Sequence, residues 1–143
     1  MLRTYDFKRK QPLVEINKIW YSYDPIYYDI LPGYTEHRLL MGFPIESKIF
    51  GSITNTVPTT KSVHLTDGGS NWLDAVIQIK KRLEGERKNA IISAFSAHPS
   101  LKIAIVVDED IQHVDPVAVE YGIHTKIQAD KDIVQIHTTT RLS

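Results

Sequence analysis

Ile103-Ala104-Ile105-Val106-Val107 is the stretch on which the predicted fold depends. It is a continuous apolar run rich in β-branched residues, and such runs are typical of central strands that are covered on both faces. Further along the chain, Asp115 can cap a helix that has Pro116 at its first position. We therefore expect a buried strand over residues 103–107, followed by a helix that packs on the sheet.

A hairpin is predicted before this strand. Val63 and Leu65 alternate with polar residues over 62–66, and Ala75, Ile77 and Ile79 recur at every second position over 75–80. This is the period of a strand with one buried face. Asp67-Gly68-Gly69-Ser70 lies between the two segments and is typical of a turn. The two segments should therefore pair as antiparallel neighbours.

The second half of the chain is predicted to alternate strands and helices. Ala90, Ile91, Ala94 and Phe95 form a helical stripe, and residues 132–136 are predicted to be the last strand. Short connections and right-handed crossovers make such strands parallel, with helices against the sheet. Together with the hairpin, this predicts an α/β fold with a mixed, partly parallel sheet and helices packed on it.

The first part of the chain has a different pattern. Apolar and polar residues alternate over residues 14–17, and Ile19-Trp20-Tyr21 follows, so residues 12–23 predict one strand, which Asp24-Pro25 should end. A helix is expected from Glu36, an interruption at Gly42, and a second helix from Pro44. In the second helix, Ile45, Ile49 and Ile53 are spaced by four residues and predict one apolar face. We therefore divide the chain into an N-terminal strand and linker (1–35) and an α/β domain (36–143).

The composition excludes several classes of function. The chain has 143 residues, and 17 lysines and arginines balance 17 aspartates and glutamates, so no net charge attracts nucleic acid. There is no cysteine, which excludes disulfides, thiolate zinc sites and cysteine nucleophiles. No apolar targeting core or membrane-spanning run is found. The expected location is the cytoplasm.

Motifs with direct chemical meaning are scarce. Asp108, Glu109 and Asp110 follow the buried strand, and clustered carboxylates can hold a hard cation such as magnesium. The simpler interpretation is a solvated acidic loop, because adjacent acids point in different directions. The six histidines form no metal-binding pattern, and no phosphate-binding or nucleophile-elbow motif occurs.

Four segments, in the same order along the chain, resemble the last third of the UbiD family of carboxy-lyases. The most specific is Ile105-Val106-Val107-Asp108-Glu109-Asp110-Ile111, which resembles an acidic block of that family. The complete set is residues 23–27 with 31–33, residues 36–46, residues 85–90 with 97–102, and residues 105–111 with 115–116, 119–121, Thr125 and 128–132. The resemblance covers most of the chain from about Pro12 onward.

The resemblance implies a reaction class and a cofactor. UbiD-type enzymes reversibly decarboxylate aromatic or α,β-unsaturated carboxylic acids with prenylated FMN, a divalent cation and potassium. Their cofactor lies in a split-barrel domain that precedes the region matched here, and so does their glutamate-arginine-glutamate acid/base set. No counterpart of that set is found in this sequence. We therefore expect no catalytic residue, no metal site and no cofactor bound by this chain alone. The strand over residues 12–23 would be one left over from the split-barrel region.

The resemblance also implies one pocket contribution. In the family, the segment that matches residues 24–27 leaves the barrel beside the substrate, so Pro25 and Ile26 are expected to form an apolar wall of the substrate pocket. The alternative is an ordinary strand-ending proline with packed neighbours. Gln112 and Lys126 depart from the aspartate and arginine of the family pattern, which weakens the case for independent activity.

Three hypotheses follow. In the first, the chain is a UbiD-related carboxy-lyase component, a split subunit or excised C-terminal domain, whose partner carries the flavin-binding barrel. Self-association as a dimer or higher oligomer is expected with it. In the second, the chain is a non-catalytic binding or assembly module derived from the same domain. The third, a metal-dependent enzyme built on Asp108, Glu109 and Asp110, ranks last.

Overall fold

The computed structural model describes residue 8 and residues 10–136. The described chain folds into a small sheet with helices on both faces. The elements in chain order are α1 (Thr35–Thr56), β1 (Thr60–Leu65), β2 (Asp74–Ile79), α2 (Glu86–Ala97), β3 (Ile103–Asp108), α3 (Pro116–Lys126) and α4 (Ala129–Asp132).

The three strands lie in the order β1-β2-β3. β1 pairs with β2 antiparallel, with Val63 opposite Ile77, and this confirms the predicted hairpin. β2 pairs with β3 parallel, with Ile77 opposite Val106, and α2 makes the crossover between them. The predicted α/β class with a mixed, partly parallel sheet is therefore confirmed.

One face of the sheet carries the main core. Ile49 and Ile53 of α1 are fully buried, as their spacing of four residues predicts for one helix face. They pack in one cluster with Ile77 of β2 and with Ala90 and Ala94 of α2. This cluster fixes α1 and α2 side by side on the sheet.

The opposite face is covered by α3. Val76, Val107 and Val119 form a second, smaller cluster there. Asp115 precedes α3, and its side chain accepts a hydrogen bond from the Val117 amide at 3.0 Å, with Pro116 in the first turn. The helix start predicted at these two residues is confirmed.

Helix α1 differs from the prediction, because it continues through Gly42 and Pro44 without a break. Glycine and proline disfavour a helix interior, but tertiary packing can override that preference. Here Gly42 is buried against the loop that carries Asn71, and the Ile49–Ile53 face holds the rest of the helix on the core. The predicted interruption is wrong for this reason.

Strand β3 is at the edge of the described sheet, whereas the sequence predicts a central strand. Its first residue, Ile103, is 54% exposed, while Ala75, Ile77 and Ile79 of β2 are fully buried. The apolar run of β3 faces α2 and α3, but no described strand pairs with its outer edge. β2 is the strand with neighbours on both sides.

Two other predicted strands are not formed in the described chain. Residues 12–23 have no regular secondary structure, and residues 131–132 belong to the short helix α4, with no strand over residues 133–136. A strand needs a neighbouring strand to hydrogen-bond with. The alternation of apolar and polar residues is therefore not sufficient to form a strand where no described strand lies alongside. His137 and the residues after it lie outside the described part. Within residues 10–136, no helix has the length and apolar character needed to cross a membrane.

Candidate functional site

The segment from residue 12 to residue 31, called the arm below, exposes an unusual number of large apolar side chains. Each of them is at least 67% exposed. They are Leu13, Val14, Ile16, Ile19, Trp20, Tyr21, Tyr23, Ile26, Tyr27, Tyr28 and Leu31. Single exposed apolar residues are normal, but a contiguous apolar surface marks an interaction site. The arm therefore has the composition of a buried segment and the exposure of a surface one.

Pro25 and Ile26 lie in this arm. Both are exposed, Ile26 by 96%, and neither lines the two cavities described below. The structure therefore places neither residue in a packed cluster of the described chain. Their role as a substrate-pocket wall stays a prediction.

The junction between the arm and α1 is held by local hydrogen bonds. The Gly33 amide, at φ +83°, donates to His37 Nδ1 at 2.8 Å. The Tyr28 hydroxyl donates to the Glu36 carboxylate, and this carboxylate raises the pKa of Tyr28. Glycine readily adopts that positive φ. These contacts connect residues 28–33 to the first turn of α1.

A cavity of about 340 Å³, called the α1 cavity below, lies beside the N-terminal half of α1. Leu40 and Phe43 are 57% and 75% exposed, so their side chains offer apolar surface that no described residue covers. The lining consists of Leu39, Leu40, Gly42, Phe43, Pro44, Glu46 and Asn71. Leu39, Leu40 and Phe43 lie off the Ile49–Ile53 face of α1, whereas Gly42 and Glu46 lie on the same side of the helix as that face.

The loop between β1 and β2 supplies Asn71 to this cavity. Asn71 is 3% exposed, has φ +54° and donates from Nδ2 to the Leu65 carbonyl at 3.1 Å. Asparagine is one of the few residues that tolerate this left-handed conformation. Arg38 Nη1 donates to the Asp67 carbonyl at 3.2 Å and ties the same loop to α1. The cavity is therefore built on a fixed loop.

Glu46 gives the α1 cavity its only charged lining group among the described residues. Its Oε1 accepts a hydrogen bond from the Leu65 amide at 2.7 Å and lies 3.3 Å from His64 Nδ1. The carboxylate thus satisfies one backbone amide of β1 that does not pair with β2. It also places negative charge at the rim of the cavity.

A larger groove of about 640 Å³ runs along the free edge of β3. Apolar side chains of α2, β3 and α3 line it, among them Ile91, Phe95, Ile105 and Ile123. Its rim carries six basic residues, which are Lys81, Arg87, Lys88, Lys102, Lys126 and Lys131. Several of these are paired with acids, as described next.

The acidic segment after β3 is a set of separate ion pairs. Asp108 lies 2.6 Å from Arg87, Glu109 lies 3.2 Å from Lys80, and Asp110 lies 2.7 Å from Lys126. Lys126 holds the pKa of Asp110 below its usual value. The three carboxylates are directed to cations on three different parts of the fold, and this arrangement does not support a shared metal site.

The described residues also contain no group of three histidine, aspartate or glutamate side chains placed to hold a metal ion. Lys126, one of the departures from the family pattern, has a structural role in its pair with Asp110. The described residues therefore give no support to the hypothesis of a metal-dependent enzyme built on Asp108, Glu109 and Asp110.

The lining of the α1 cavity does not fit the phosphate of prenylated FMN. The α1 cavity has no cation in its lining to receive a phosphate, and Glu46 opposes one. At the larger groove, Arg87 and Lys126 are bound to Asp108 and Asp110, and Lys81 lies 2.5 Å from Glu84. These pairs engage three of the six basic residues of the rim, and Lys88, Lys102 and Lys131 have no acidic partner among the described residues.

Leu40, Phe43 and Asn71 were not identified from the sequence. A signal for the first two existed, because Leu39, Leu40 and Phe43 lie off the Ile45–Ile49–Ile53 stripe and predict a second apolar face of α1. Asn71 gave no such signal, because its place depends on the close approach of its loop to Gly42.

The family model described as "3-octaprenyl-4-hydroxybenzoate carboxy-lyase C-terminal domain" matches residues 38–143. Anhydromevalonate phosphate decarboxylase of Methanocaldococcus jannaschii is 54% identical over 133 residues, which are 93% of this chain and 32% of the relative. The enzyme of the same name from Methanosarcina mazei is 50% identical over 93% of this chain and 31% of its own length. The chain therefore spans about a third of the length of these curated relatives.

A solved structure resembles the fold. It is an evolved dimeric form of the UbiD-class enzyme HmfF from Pelotomaculum thermopropionicum in complex with prFMN, with a TM-score of 0.73 and 42% identity. The match covers 75% of this chain and 25% of that one.

Proposed function

Since this chain belongs to the UbiD family of carboxy-lyases, we propose that it supplies the C-terminal α/β part of a prenylated-FMN-dependent decarboxylase. In this proposal the flavin site and the acid/base residues lie outside the 143 residues. The division into a linker (1–35) and an α/β domain (36–143), and a cytoplasmic location, belong to the same proposal.

The exposed arm carries the proposal. Eleven large apolar side chains between Leu13 and Leu31 are at least 67% exposed. Burying a side chain of this kind contributes about 1.5–3 kcal/mol, so leaving all of them in water is unfavourable unless another protein surface covers them. A flavin-binding barrel is the surface that the family relationship offers. The arm would complete that barrel, and Pro25 and Ile26 would then line the substrate pocket.

The relatives suggest the substrate. Two proteins that are at least 50% identical to this chain bear the name anhydromevalonate phosphate decarboxylase. We therefore take anhydromevalonate phosphate as the first acid to test, within the wider class of α,β-unsaturated and aromatic acids.

The test uses the chain alone and the chain together with a polypeptide that carries a UbiD flavin barrel. The chain alone should show no flavin absorbance and no release of carbon dioxide. The mixture, loaded with prenylated FMN, should release carbon dioxide from anhydromevalonate phosphate. Stoichiometric binding of prenylated FMN by the isolated chain would contradict the proposal, and so would an inactive mixture that has assembled and holds the cofactor.

The same experiment separates this function from the alternative, a non-catalytic assembly module. Such a module would bind its partner through the arm without any effect on turnover. Gel filtration of the two samples also tests the expected self-association, because a dimer of the chain elutes at twice the mass of 16.3 kDa.

A further inference from the structure

The outward side of α1 carries a second row of apolar side chains. Leu40, Phe43 and Phe50 recur at helical spacing, and Glu36 begins the same row one turn before Leu40. These four residues are called the outer stripe below. Leu40 is 57% exposed, Phe43 75% and Phe50 36%. Helix α1 therefore packs on the core with its Ile49–Ile53 face and presents a second apolar side to solvent.

The arm meets α1 on the side of the outer stripe. The Tyr28 hydroxyl donates a hydrogen bond to the carboxylate of Glu36, which is the first residue of the stripe. Leu31 and Tyr34, which lie between these two residues in the chain, are both exposed. The exposed apolar side chains of the arm therefore continue into the outer stripe, and a continuous apolar surface of this kind marks an interaction site.

Acidic groups flank this surface. Residues 19–37 contain Asp24, Asp29 and Glu36 and no lysine or arginine, and all three acids are exposed. A second copy of the chain would set this acidic surface against an identical one, which is unfavourable in a symmetric contact. A partner with an apolar centre and basic residues around it is complementary in charge.

The organisation of the relatives indicates where such a partner surface lies. The matched family model describes a C-terminal domain. The match with the Methanocaldococcus jannaschii relative covers 93% of this chain and 32% of that protein. In a relative of this kind the rest of the polypeptide precedes the matched region and joins it at the segment equivalent to the arm. Continuity of the chain therefore favours the flavin-bearing part over any other partner.

We propose that the arm and the outer stripe form one docking surface for the flavin-bearing part, with Leu40 and Phe43 as its principal contacts. The complementary surface is apolar with basic residues at its rim. This inference rests on the proposed function and adds a side of α1 to the arm. Phe43 is carried by a helix that the core holds in place, so its binding costs less conformational entropy than the ordering of an arm without regular secondary structure. Exposed aromatic anchors of this kind are typical of interface hot spots.

The first test uses chemical protection. The chain has no cysteine, so one introduced thiol reports on one position. Leu40→Cys and Phe43→Cys should react with iodoacetamide in the free chain. After addition of the polypeptide that carries the UbiD flavin barrel, they should react about tenfold more slowly or less, because the centre of an interface is packed like a protein interior. Mass spectrometry of this chain measures each rate.

Tyr121→Cys is the matched control for protection. Tyr121 is an aromatic residue of a helix and is 70% exposed, like Phe43, but it belongs to α3 on the opposite face of the sheet. Its rate of reaction should not change when the flavin-bearing polypeptide is added.

The second test measures affinity by titration calorimetry. Phe43→Asp should raise the Kd for the flavin-bearing polypeptide by about 30-fold or more, whereas Tyr121→Asp should leave it unchanged. Both side chains are exposed, so both variants should keep the fold, which thermal unfolding of the free chain checks. Added salt should raise the wild-type Kd, because the acids of the arm meet basic residues. Asp24→Asn should reduce this salt dependence.

The results separate this inference from the proposed function. Protection at positions 40 and 43 without turnover supports the docking surface and contradicts the proposed function alone. Assembly and turnover without protection, or with an unchanged Kd in Phe43→Asp, overturn the docking surface alone. Protection in the free chain that grows with its own concentration would show a second copy on the outer stripe and would overturn the inference. Absence of any assembly would overturn both.

Discussion

His98 Nε2 lies 3.0 Å from the carbonyl oxygen of Trp72, and the two rings meet edge to face with their centroids 4.5 Å apart. This contact joins the end of α2 to the residues just before β2. His98 is 4% exposed, and burial, assisted by the positive charge of Lys48, lowers its pKa from 6.5. The neutral imidazole is therefore part of the folded state.

The first prediction concerns pH. Below 6.5 the unfolded chain takes up a proton on His98 that the folded chain does not, so the free energy of unfolding should fall as pH falls. Above 6.5 this contribution is fully present. The limit for one proton is about 1.4 kcal/mol per pH unit. Urea unfolding from pH 8 to pH 5 measures the slope.

Burial and the charge of His64 also lower the pKa of His113, so this residue adds to the slope in the same direction. His98→Gln should remove its own share and leave a shallower decline. His124→Gln is the control, because His124 is exposed on α3. An unchanged slope in His98→Gln would contradict the assignment.

The second prediction compares two glycines of α1. A Cβ on Gly42 would lie 2.7 Å from the Asn71 carbonyl oxygen, whereas one on Gly51 meets nothing within 4 Å. Gly42→Ala should destabilise the fold by about 1–3 kcal/mol. Gly51→Ala should stabilise it by up to about 1 kcal/mol through helix propensity. Thermal unfolding of both variants measures the two changes in stability. If both changes had the same sign, the close contact between α1 and the loop at Asn71 would be contradicted.

The third prediction concerns the core. Ile53 is fully buried between α1 and the sheet, while Ile92 of α2 is 54% exposed. Ile53→Ala should lower the free energy of unfolding by about 2–5 kcal/mol, because it leaves a cavity as well as losing apolar burial. Ile92→Ala makes the same chemical change at the surface and should shift it by less than about 1 kcal/mol. Denaturant titration of the two variants measures the change in the free energy of unfolding for each.

The fourth prediction tests the cap of α3. The Asp115 side chain accepts from the Val117 amide. Asp115→Ala should destabilise the fold by about 0.5–2 kcal/mol, whereas Asp115→Asn, which keeps an acceptor, should have a much smaller effect. If both substitutions were equally damaging in thermal unfolding, the hydrogen bond would not be the reason for the effect.

The fifth prediction concerns the environment of Trp20 in the arm. Trp20 is 82% exposed, so its fluorescence should resemble that of tryptophan in water. In a Trp72→Phe background, where Trp20 is the remaining tryptophan of the two in the sequence, addition of the flavin-bearing part should move the emission maximum to shorter wavelength. A Trp20→Phe variant serves as the control. Complex formation without a shift would place the arm outside the interface.

Much of the fold could be predicted because the signals were local. The alternation in residues 62–66 and 75–80, with Asp67-Gly68-Gly69-Ser70 between them, led to the β1–β2 hairpin. Asp115 and Pro116 marked the start of α3. The Ile45–Ile49–Ile53 spacing marked the buried face of α1. Each of these features depends on residues close in sequence. The spacing of apolar residues and the helix-capping residues are therefore sufficient to predict it.

The candidate site was less predictable. The resemblance drew attention to Pro25 and Ile26, and the α1 cavity was not foreseen. Its residues come from the first half of α1 and from the loop near Asn71, and Gly42 brings them together through a contact between residues 29 positions apart. Local patterns carry no information about such an approach.

The sequence by itself determined the α/β class, the hairpin, the helix faces and the family, because side-chain period, turn residues and motif order are properties of neighbouring residues. Only the tertiary structure decided that α1 runs unbroken through Pro44, that β2 and not the apolar run of β3 is the central strand, and that the acids at 108–110 pair with three separate cations. These outcomes depend on which surfaces meet after the chain has folded, since packing of distant segments outweighs local preference.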